Sequence, residues 1–222
     1  MYGIKEGWIK RYTEKNALWI HDGNPKRPHA LLTSGKHSNG FFNSRLIIQD
    51  EMLLRAATWD LFKLFADQGG DISKVEVVVG PQTGATKLAE LLSYEVMEHI
   101  RRDCFFASPA KNETDGQRSM VFTERDIAIL SNRIILPCED VVTTGGSIDR
   151  TFDAISNAGG IVLPFIFVLV NRSGLQEING KKIIALIDHP MSMWEPDQCP
   201  LCKQHSEPVR PKENWAALNA EY

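Results

Sequence analysis

Apolar residues recur at helical spacing between residues 51 and 66. The positions concerned are Leu54, Ala57, Leu61, Leu64 and Phe65. Side chains spaced in this way share one face of a helix with about 3.6 residues per turn. Two glycines follow at positions 69 and 70, and glycine commonly ends a helix. The pattern predicts an amphipathic helix over residues 51–66.

Three short apolar runs predict buried strands, because they are rich in β-branched residues and bounded by glycine, proline or polar residues. The runs begin at Val75, Ile134 and Ile161 and extend to residues 79, 138 and 170. Shorter strands are predicted at 103–107 and 182–188, and amphipathic helices at 85–100 and 148–158. Strands that alternate with helices predict an α/β fold with a mostly parallel central sheet covered by helices on both faces.

In such a sheet, ligands bind beyond the carboxyl ends of the strands. Two loops leave predicted strand ends with the sequences GPQTGAT (80–86) and EDVVTTGGS (139–147), so we expect both to face one crevice. The stretch SPAKNETDGQRSM (108–120) is polar and has no apolar periodicity. A long loop of this kind in a compact domain is usually functional or disordered.

Composition narrows the functional classes. The chain has 222 residues, 43% hydrophobic and 24% charged, with a net charge of −3. This balance argues against non-specific binding of nucleic acid. The longest apolar run, residues 161–170, is too short to span a bilayer and contains Pro164, which predicts a cytoplasmic protein. Four cysteines in a chain of this size do not predict a disulfide scaffold.

The TTGGS turn (143–147) has the features of a phosphate cradle. Its glycines expose backbone N–H groups, the following helix adds a partial positive charge, and hydroxyls of Thr143, Thr144 and Ser147 can donate hydrogen bonds. Neither a Walker loop nor a dinucleotide fingerprint is present. An ordinary strand-to-helix turn is the alternative interpretation of these glycines.

Two adjacent acids, Glu139 and Asp140, precede this turn at the predicted strand end. Neighbouring carboxylates can accept hydrogen bonds from a vicinal diol or hold a hard divalent cation. A ribose 5-phosphate presents a monophosphate and a diol together, which fits a turn that binds phosphate preceded by two acids that bind a diol. The alternative is a pair of solvent-exposed acids at a strand end.

The string EDVVTTGGS resembles the phosphoribosyl-diphosphate signature of the type I phosphoribosyltransferases, and VVVGPQTGAT (77–86) resembles the family's second anion loop. Two more segments resemble orotate phosphoribosyltransferases: LLTSGKHSNGFFN (31–43) and VLVNRSG (168–174). Thr33 departs from the lysine that often precedes the SG pair, and Lys36 follows that pair instead.

The resemblance implies that the chain forms a single domain with three parts. It consists of an N-terminal hood that binds the base (1–50), a core (51–190) and a C-terminal tail (191–222). It also implies a homodimer, the substrates 5-phosphoribosyl 1-diphosphate and orotate, and Mg²⁺ as the cofactor.

The resemblance assigns the donor-binding roles as follows. Glu139 and Asp140 would hold the ribose hydroxyls, with Asp140 as the Mg²⁺ ligand, directly or through water. The 5-phosphate would bind the backbone of Thr143, Thr144, Gly145, Gly146 and Ser147. The diphosphate would face Thr83, Gly84 and Ala85.

A flexible loop (107–122) would close over the site and bring a catalytic cation, with Lys111, Arg118 and Arg125 as the candidates. The acceptor base would contact Lys36, Phe41 and Phe42, and Arg172 would bind the carboxylate of orotate. Phe41 and Phe42 as core residues, and Arg172 as a surface residue, are the competing interpretations.

Three functional hypotheses remain open at this point. The first is an orotate phosphoribosyltransferase of pyrimidine synthesis, the second a transferase for a purine or another base, and the third a non-catalytic regulator that binds the donor. Arg172 separates the first two, because a neutral purine offers it no carboxylate.

One CxxC, Cys199 to Cys202, lies in the tail. Zinc needs about four ligands, and His189 and His205 are conceivable additions. Because a second CxxC is absent, the favoured interpretation is two plain tail cysteines, with structural zinc and redox chemistry as alternatives.

Overall fold

The computed structural model describes residues 3–222, so the first two residues of the predicted hood lie outside it. The helices are α1 (Ile4–Glu14), α2 (Ser44–Ile48), α3 (Glu51–Asp67), α4 (Thr86–Ile100), α5 (Glu124–Leu130), α6 (Gly146–Asn157), α7 (Pro200–Lys203) and α8 (Trp215–Leu218). No helix in this described range is long and apolar enough to cross a membrane.

The strands fall into a central sheet and three smaller ones. The central sheet contains β5 (Val77–Val79), β6 (Phe105–Ala107), β9 (Ile134–Val142), β10 (Ile161–Val162), β11 (Phe165–Asn171), β12 (Glu177–Ile178) and β13 (Lys181–Asp188). The smaller sheets contain β1 (Leu18–Ile20), β2 (His29–Leu31), β3 (His37–Ser38), β4 (Gly40–Phe42), β7 (Ala110–Thr114), β8 (Gln117–Val121), β14 (Met193–Trp194) and β15 (Pro208–Val209).

The central sheet has the order β12-β13-β11-β9-β5-β6, and β10 pairs with β9. All of these pairs are parallel except β12 with β13. The prediction of a mostly parallel α/β sheet is therefore confirmed. The helices predicted at 51–66, 85–100 and 148–158 are present as α3, α4 and α6.

Apolar side chains cover both faces of this sheet. On one face, α1, α3 and α4 pack against Leu136, Phe167 and Ile184, and α1 contributes the fully buried Trp8 and Tyr12. On the other face, Ile155 of α6 joins a second cluster. The sheet is thus fixed between two layers, and only the loops at its strand ends are free to form a site.

The structure corrects the predicted end of the strand that begins at Ile134. It continues past Cys138 to Val142, so Glu139 and Asp140 lie inside β9. Glu139 is in register with Val168 of β11. The backbone hydrogen bonds between β9 and β11 outweigh the low strand propensity of acidic residues. Pro164 also divides the predicted 161–170 strand into β10 and β11.

The polar stretch 108–120 is not a structureless loop. It contains the antiparallel pair β7 and β8, joined by a turn in which Asp115 and Gly116 have φ of 53° and 76°. Positive φ at both central residues is the geometry of a hairpin turn favoured by Asp-Gly. Met120 and Phe122 are buried at the base of this hairpin.

A four-stranded sheet, which we call the hood sheet, has the order β14-β3-β2-β15. Its two inner strands come from residues 29–38 and its two outer strands from the tail. The N-terminal segment and the tail are therefore parts of one structural unit beside the central sheet.

Candidate active site

A large cleft lies at the carboxyl ends of β5, β9 and β11, with a volume of about 1010 Å³. Most of the residues expected to bind substrates line it. These are Phe41, Phe42, Thr83, Gly84, Lys111, Arg118, Glu139, Asp140, Thr143, Thr144, Gly145, Gly146, Ser147 and Arg172. Residues that are far apart in the sequence thus meet in one cavity, as the parallel-sheet prediction requires.

The two acids in β9 differ in their surroundings. Glu139 is 5% exposed, whereas Asp140 is half-buried. Burial, and then the charge of Asp140, raise the pKa of Glu139 well above its usual range. Glu139 Oε1 accepts a hydrogen bond from the Asp140 amide at 3.2 Å, and the buried Oε2 has no partner among the described residues. This unsatisfied carboxyl oxygen fits a site that is completed by a ligand.

The loop after β5 lies against Asp140. A Cβ atom placed on Gly84 would be 2.8 Å from Asp140 Oδ2. The peptide bond between Gln82 and Thr83, in the same loop, is cis. Because Gly84 has no side chain, the loop expected to bind diphosphate and the acid expected to hold ribose are in direct contact.

The TTGGS turn leads into the N-terminus of α6, a helix of 12 residues. Gly145 has φ of 81°, a conformation that glycine adopts without strain. The first N–H groups of a helix have no intrahelical acceptor, so those at the start of α6 can bind an anion. Arg150, one turn into α6, also lines the cleft and adds positive charge.

The hairpin of β7 and β8 brings two cations to the cleft. Lys111 lines it and acts electrostatically on Glu139. Arg118 Nε donates to Glu113 Oε2 at 3.0 Å, so an acidic neighbour compensates its charge. Arg125 lies in α5 and does not line the cleft. Lys111 is therefore the best placed of the three expected cations.

Arg172, directly after β11, is 2% exposed. Its Nη1 donates to Gly40 O at 2.9 Å and its Nη2 to Ser38 Oγ at 2.5 Å. It makes no ion pair with an acid in residues 3–222, and its buried Nε has no hydrogen-bond partner there. Burial lowers the pKa of Arg172 to about 10, so the group is still cationic at neutral pH.

The two phenylalanines have different environments. Phe42 is 2% exposed, and its ring makes edge contacts with Tyr12 and His189. Phe41 is half-buried, with its ring centroid 5.9 Å from that of Trp215 in α8. Phe42 is thus mainly a core residue that also reaches the cleft wall, whereas Phe41 is the more accessible aromatic surface.

Besides Arg125, two of the expected residues do not line the cleft. Lys36 forms an ion pair with Glu195 at 2.8 Å, which directs it along the hood sheet. Ala85 is fully buried, and its N–H donates to Pro81 O at 3.1 Å. The backbone group that could have met diphosphate there is already used in the turn before α4.

Three further cations line the cleft and were missed from the sequence: Arg45, Arg150 and Lys212. Arg150 could have been found, because it follows the TTGGS turn by one helical turn. Lys212 could not, because nothing in the sequence shows that the tail returns to the cleft.

Comparison with known proteins identifies the family of the chain. A family model described as the phosphoribosyl transferase domain matches residues 48–198. The chain therefore belongs to the phosphoribosyltransferase family, and it is a phosphoribosyltransferase enzyme.

Proteins similar to this chain include orotate phosphoribosyltransferases. The orotate phosphoribosyltransferase of Desulforamulus reducens is 31% identical, over 82% of this chain and 87% of that protein. The crystal structure of orotate phosphoribosyltransferase from Aeropyrum pernix has a TM-score of 0.57 at 20% identity, covering 80% of this chain and 91% of that one.

The fold alone does not distinguish orotate phosphoribosyltransferases from adenine phosphoribosyltransferases. An adenine phosphoribosyltransferase from Thermoanaerobacter pseudethanolicus has a TM-score of 0.52 at 19% identity, covering 67% of this chain and 87% of that one. The acceptor base must be argued from the side chains of the cleft.

Proposed function

We propose that this enzyme transfers the 5-phosphoribosyl group of 5-phosphoribosyl 1-diphosphate to orotate. The products would be orotidine 5′-phosphate and diphosphate, a step in the synthesis of UMP. The C1–oxygen bond to diphosphate breaks, a bond from C1 to a ring nitrogen of orotate forms, and that nitrogen loses its proton to solvent.

The observation that carries the choice of orotate is the buried guanidinium of Arg172, which has no acidic partner in residues 3–222 and whose Nε has no hydrogen-bond acceptor there. A buried charge without a counterion is costly, and an anion bound in the cleft would compensate it. Orotate is a base that bears a carboxylate, and a carboxylate pairs well with a guanidinium. A neutral purine would leave Arg172 uncompensated.

The donor would bind along the other walls of the cleft. The N-terminus of α6 and Arg150 suit the 5-phosphate, and Asp140 suits the ribose hydroxyls. Thr83 and Gly84 would face the diphosphate, with Lys111 stabilising the charge that develops as it leaves. The hairpin above them would exclude water from the reacting carbon.

The residues present also fit a magnesium ion. Glu139 has a carboxyl oxygen without a partner, and Asp140 makes no ion pair with a base in residues 3–222. Carboxylate oxygens are the ligands that Mg²⁺ prefers. We propose that Asp140 holds it, directly or through water, and that the ion supplies neutralisation of the diphosphate.

We further propose that the enzyme is a homodimer. On α3, Met52 is 83% exposed and Trp59 66% exposed, two turns apart on one face of the helix. Large apolar side chains that are exposed together mark interaction surfaces. Light scattering should give twice the chain mass of 25.0 kDa, and a mass of one chain would contradict the proposal.

A panel of acceptor bases tests the proposed reaction. The enzyme, the donor and Mg²⁺ are incubated with orotate, adenine, guanine or hypoxanthine, and diphosphate release is followed. We expect release with orotate alone. Release only with a purine would overturn the assignment of the acceptor while leaving the family assignment intact.

A further inference from the structure

Four side chains outside the cleft converge on one point beside the two inner strands of the hood sheet. They are His29, His37, Cys199 and Cys202, and we call them the hood cluster. One ligand atom from each lies within 4.8 Å of those of all the others. Three of the four residues are buried and Cys202 is partly buried. Neither His189 nor His205, the histidines considered from the sequence, belongs to the cluster.

Four of the six distances between these atoms are within about 0.4 Å of those in a tetrahedral zinc site. His29 Nε2 lies 3.0 Å from His37 Nδ1, 3.6 Å from Cys199 Sγ and 3.5 Å from Cys202 Sγ. Cys202 Sγ lies 3.2 Å from His37 Nδ1. Zinc bonds of about 2.0–2.1 Å to nitrogen and 2.3 Å to sulfur give tetrahedral edges of about 3.3 Å between two nitrogens and 3.6 Å between nitrogen and sulfur.

A hydrogen bond behind the cluster presents His29 in the form that binds a metal. Ser206 Oγ donates to Arg27 O at 2.7 Å, so its oxygen is left to accept from His29 Nδ1 at 2.9 Å. A proton on Nδ1 leaves the lone pair of Nε2 directed at the other three ligand atoms. Histidines that bind metals are typically oriented in this way through the second ring nitrogen.

Hydrogen bonds within the cluster alone do not account for this arrangement. A bare Nε2 can accept one strong hydrogen bond, yet three polar atoms lie within 3.6 Å of it. Thiols are weak donors, so buried contacts of this kind contribute little. A cation at the centre would use the lone pairs of all four atoms at once.

We propose that the hood cluster binds one Zn²⁺ as a structural site. A tetrahedral set of two thiolates and two imidazoles is the donor set that selects this ion. Binding releases the thiol protons, and all four ligand positions belong to the protein, so the site is closed to substrate.

The position of the cluster indicates what the metal would do. It joins His29 of β2 and His37 of β3 to two cysteines of the tail. Cys199 directly precedes α7, and Cys202 lies within that helix. Ser38, which follows His37, accepts a hydrogen bond from Arg172. The metal would therefore hold the hood sheet against the acceptor side of the cleft and leave the donor side untouched.

The first test is the metal content of the full-length protein, purified without chelator and measured by elemental mass spectrometry. We expect about one zinc per chain. Cys202→Ser should reduce the content at least about fivefold, because it removes one of four ligands. The matched control is His205→Asn, which alters an exposed tail histidine with φ of 64° and should keep the full content.

The second test uses wild-type protein and therefore does not depend on whether Cys202→Ser folds. Wild-type protein stripped with a chelator is loaded with Co²⁺, and we expect the visible absorption of a tetrahedral cobalt site with thiolate charge transfer. Removing the metal should lower the melting temperature by about 10 °C, as for loss of a tightly bound ligand. It should also raise the KM for orotate more than that for the donor.

Several results would overturn the zinc site. One is wild-type protein that lacks zinc and gives no cobalt spectrum, with or without a disulfide between Cys199 and Cys202. Another is stoichiometric iron in place of zinc. A third is an equal loss of zinc in His205→Asn and Cys202→Ser. None of them bears on which base is the acceptor, so this proposal and the proposed reaction can fail separately.

Discussion

The backbone of Gly84 and the carboxylate of Asp140 are in contact with no room between them for a methyl group. A Cβ on Gly84 would meet three atoms of that carboxylate at 2.8–2.9 Å. Carbon and oxygen atoms do not approach so closely without a shift of one of them. The contact therefore fixes the position of Asp140 relative to the loop that follows β5.

Gly84→Ala should reduce kcat/KM for the donor by about tenfold or more, because small displacements of positioned groups are costly to catalysis. Steady-state kinetics with varied donor measures this effect. Gly7→Ala is the matched control, since nothing lies within 4 Å of its added Cβ and it sits in α1. Activity in that control should be unchanged, and a drop of equal size in both variants would contradict the role of the contact.

Asp140→Asn should lower kcat/KM for the donor by about 100-fold or more, through loss of a negative charge at the ribose and its metal. The control is Asp153→Asn, which removes an exposed carboxylate from α6. Near-normal kinetics in Asp140→Asn would refute our account of the acidic pair.

Arg172→Ala should raise the KM for orotate by about 10- to 100-fold, as expected for losing hydrogen bonds to a charged group. The KM for the donor should change far less. Arg102→Ala, at the opposite edge of the sheet before β6, should leave both values unchanged. Equal increases in both KM values in Arg172→Ala would mean that the acceptor pocket is elsewhere.

The three expected loop cations should differ in importance. Lys111→Ala should lower kcat by about 100-fold, because it removes charge stabilisation at the leaving group. Arg118→Ala should have a smaller effect, since Glu113 already compensates that charge, and Arg125→Ala should have none. Turnover numbers at saturating substrates give the ranking, and a dominant Arg125 would overturn it.

Glu139→Gln should stabilise the metal-free protein at neutral pH. The pKa of Glu139 is raised in the fold, so the folded state keeps its proton when the unfolded chain has lost it. The stability linked to Glu139 is thus fully present below a pH of about 4.3 and is lost as pH rises toward the folded pKa. Glutamine does not titrate and avoids this loss.

Melting temperatures from pH 4 to pH 8 measure that effect. The advantage of Glu139→Gln over the wild type should be near zero at the acidic end and grow with pH. Glu90→Gln, on the exposed side of α4, serves as the control and should track the wild type throughout. A constant difference across the range would exclude a titration of Glu139.

The sequence allowed prediction of the central sheet because its strands are continuous apolar runs and its helices have clear periodicity. The residues expected to bind the donor could also be picked out from the sequence, since TTGGS and the acids of β9 are adjacent in the chain. Two local signals were overlooked: the Asp115-Gly116 turn of the hairpin, and the capping box formed by Thr123 and Asp126 at α5.

The hood sheet could not have been predicted, because its strands are only two or three residues long and pair across the length of the chain. Such strands carry no periodicity of their own. For the same reason His29 and His37 could not be linked to the tail cysteines, and the sequence instead suggested the nearer His189 and His205.

The two substrates would be handled by parts of the chain that can fold at different times. The strands and loops that face the donor lie within residues 77–188, and their pairings join strands that are much closer in the chain, such as β9 with β11 and β11 with β13. The hood sheet needs Pro208 and Val209 of β15 beside β2, which is about 180 residues earlier. During synthesis the donor side can therefore assemble first. The proposed acceptor wall would form only when the tail has left the ribosome, so a nascent chain would gain its acceptor specificity last.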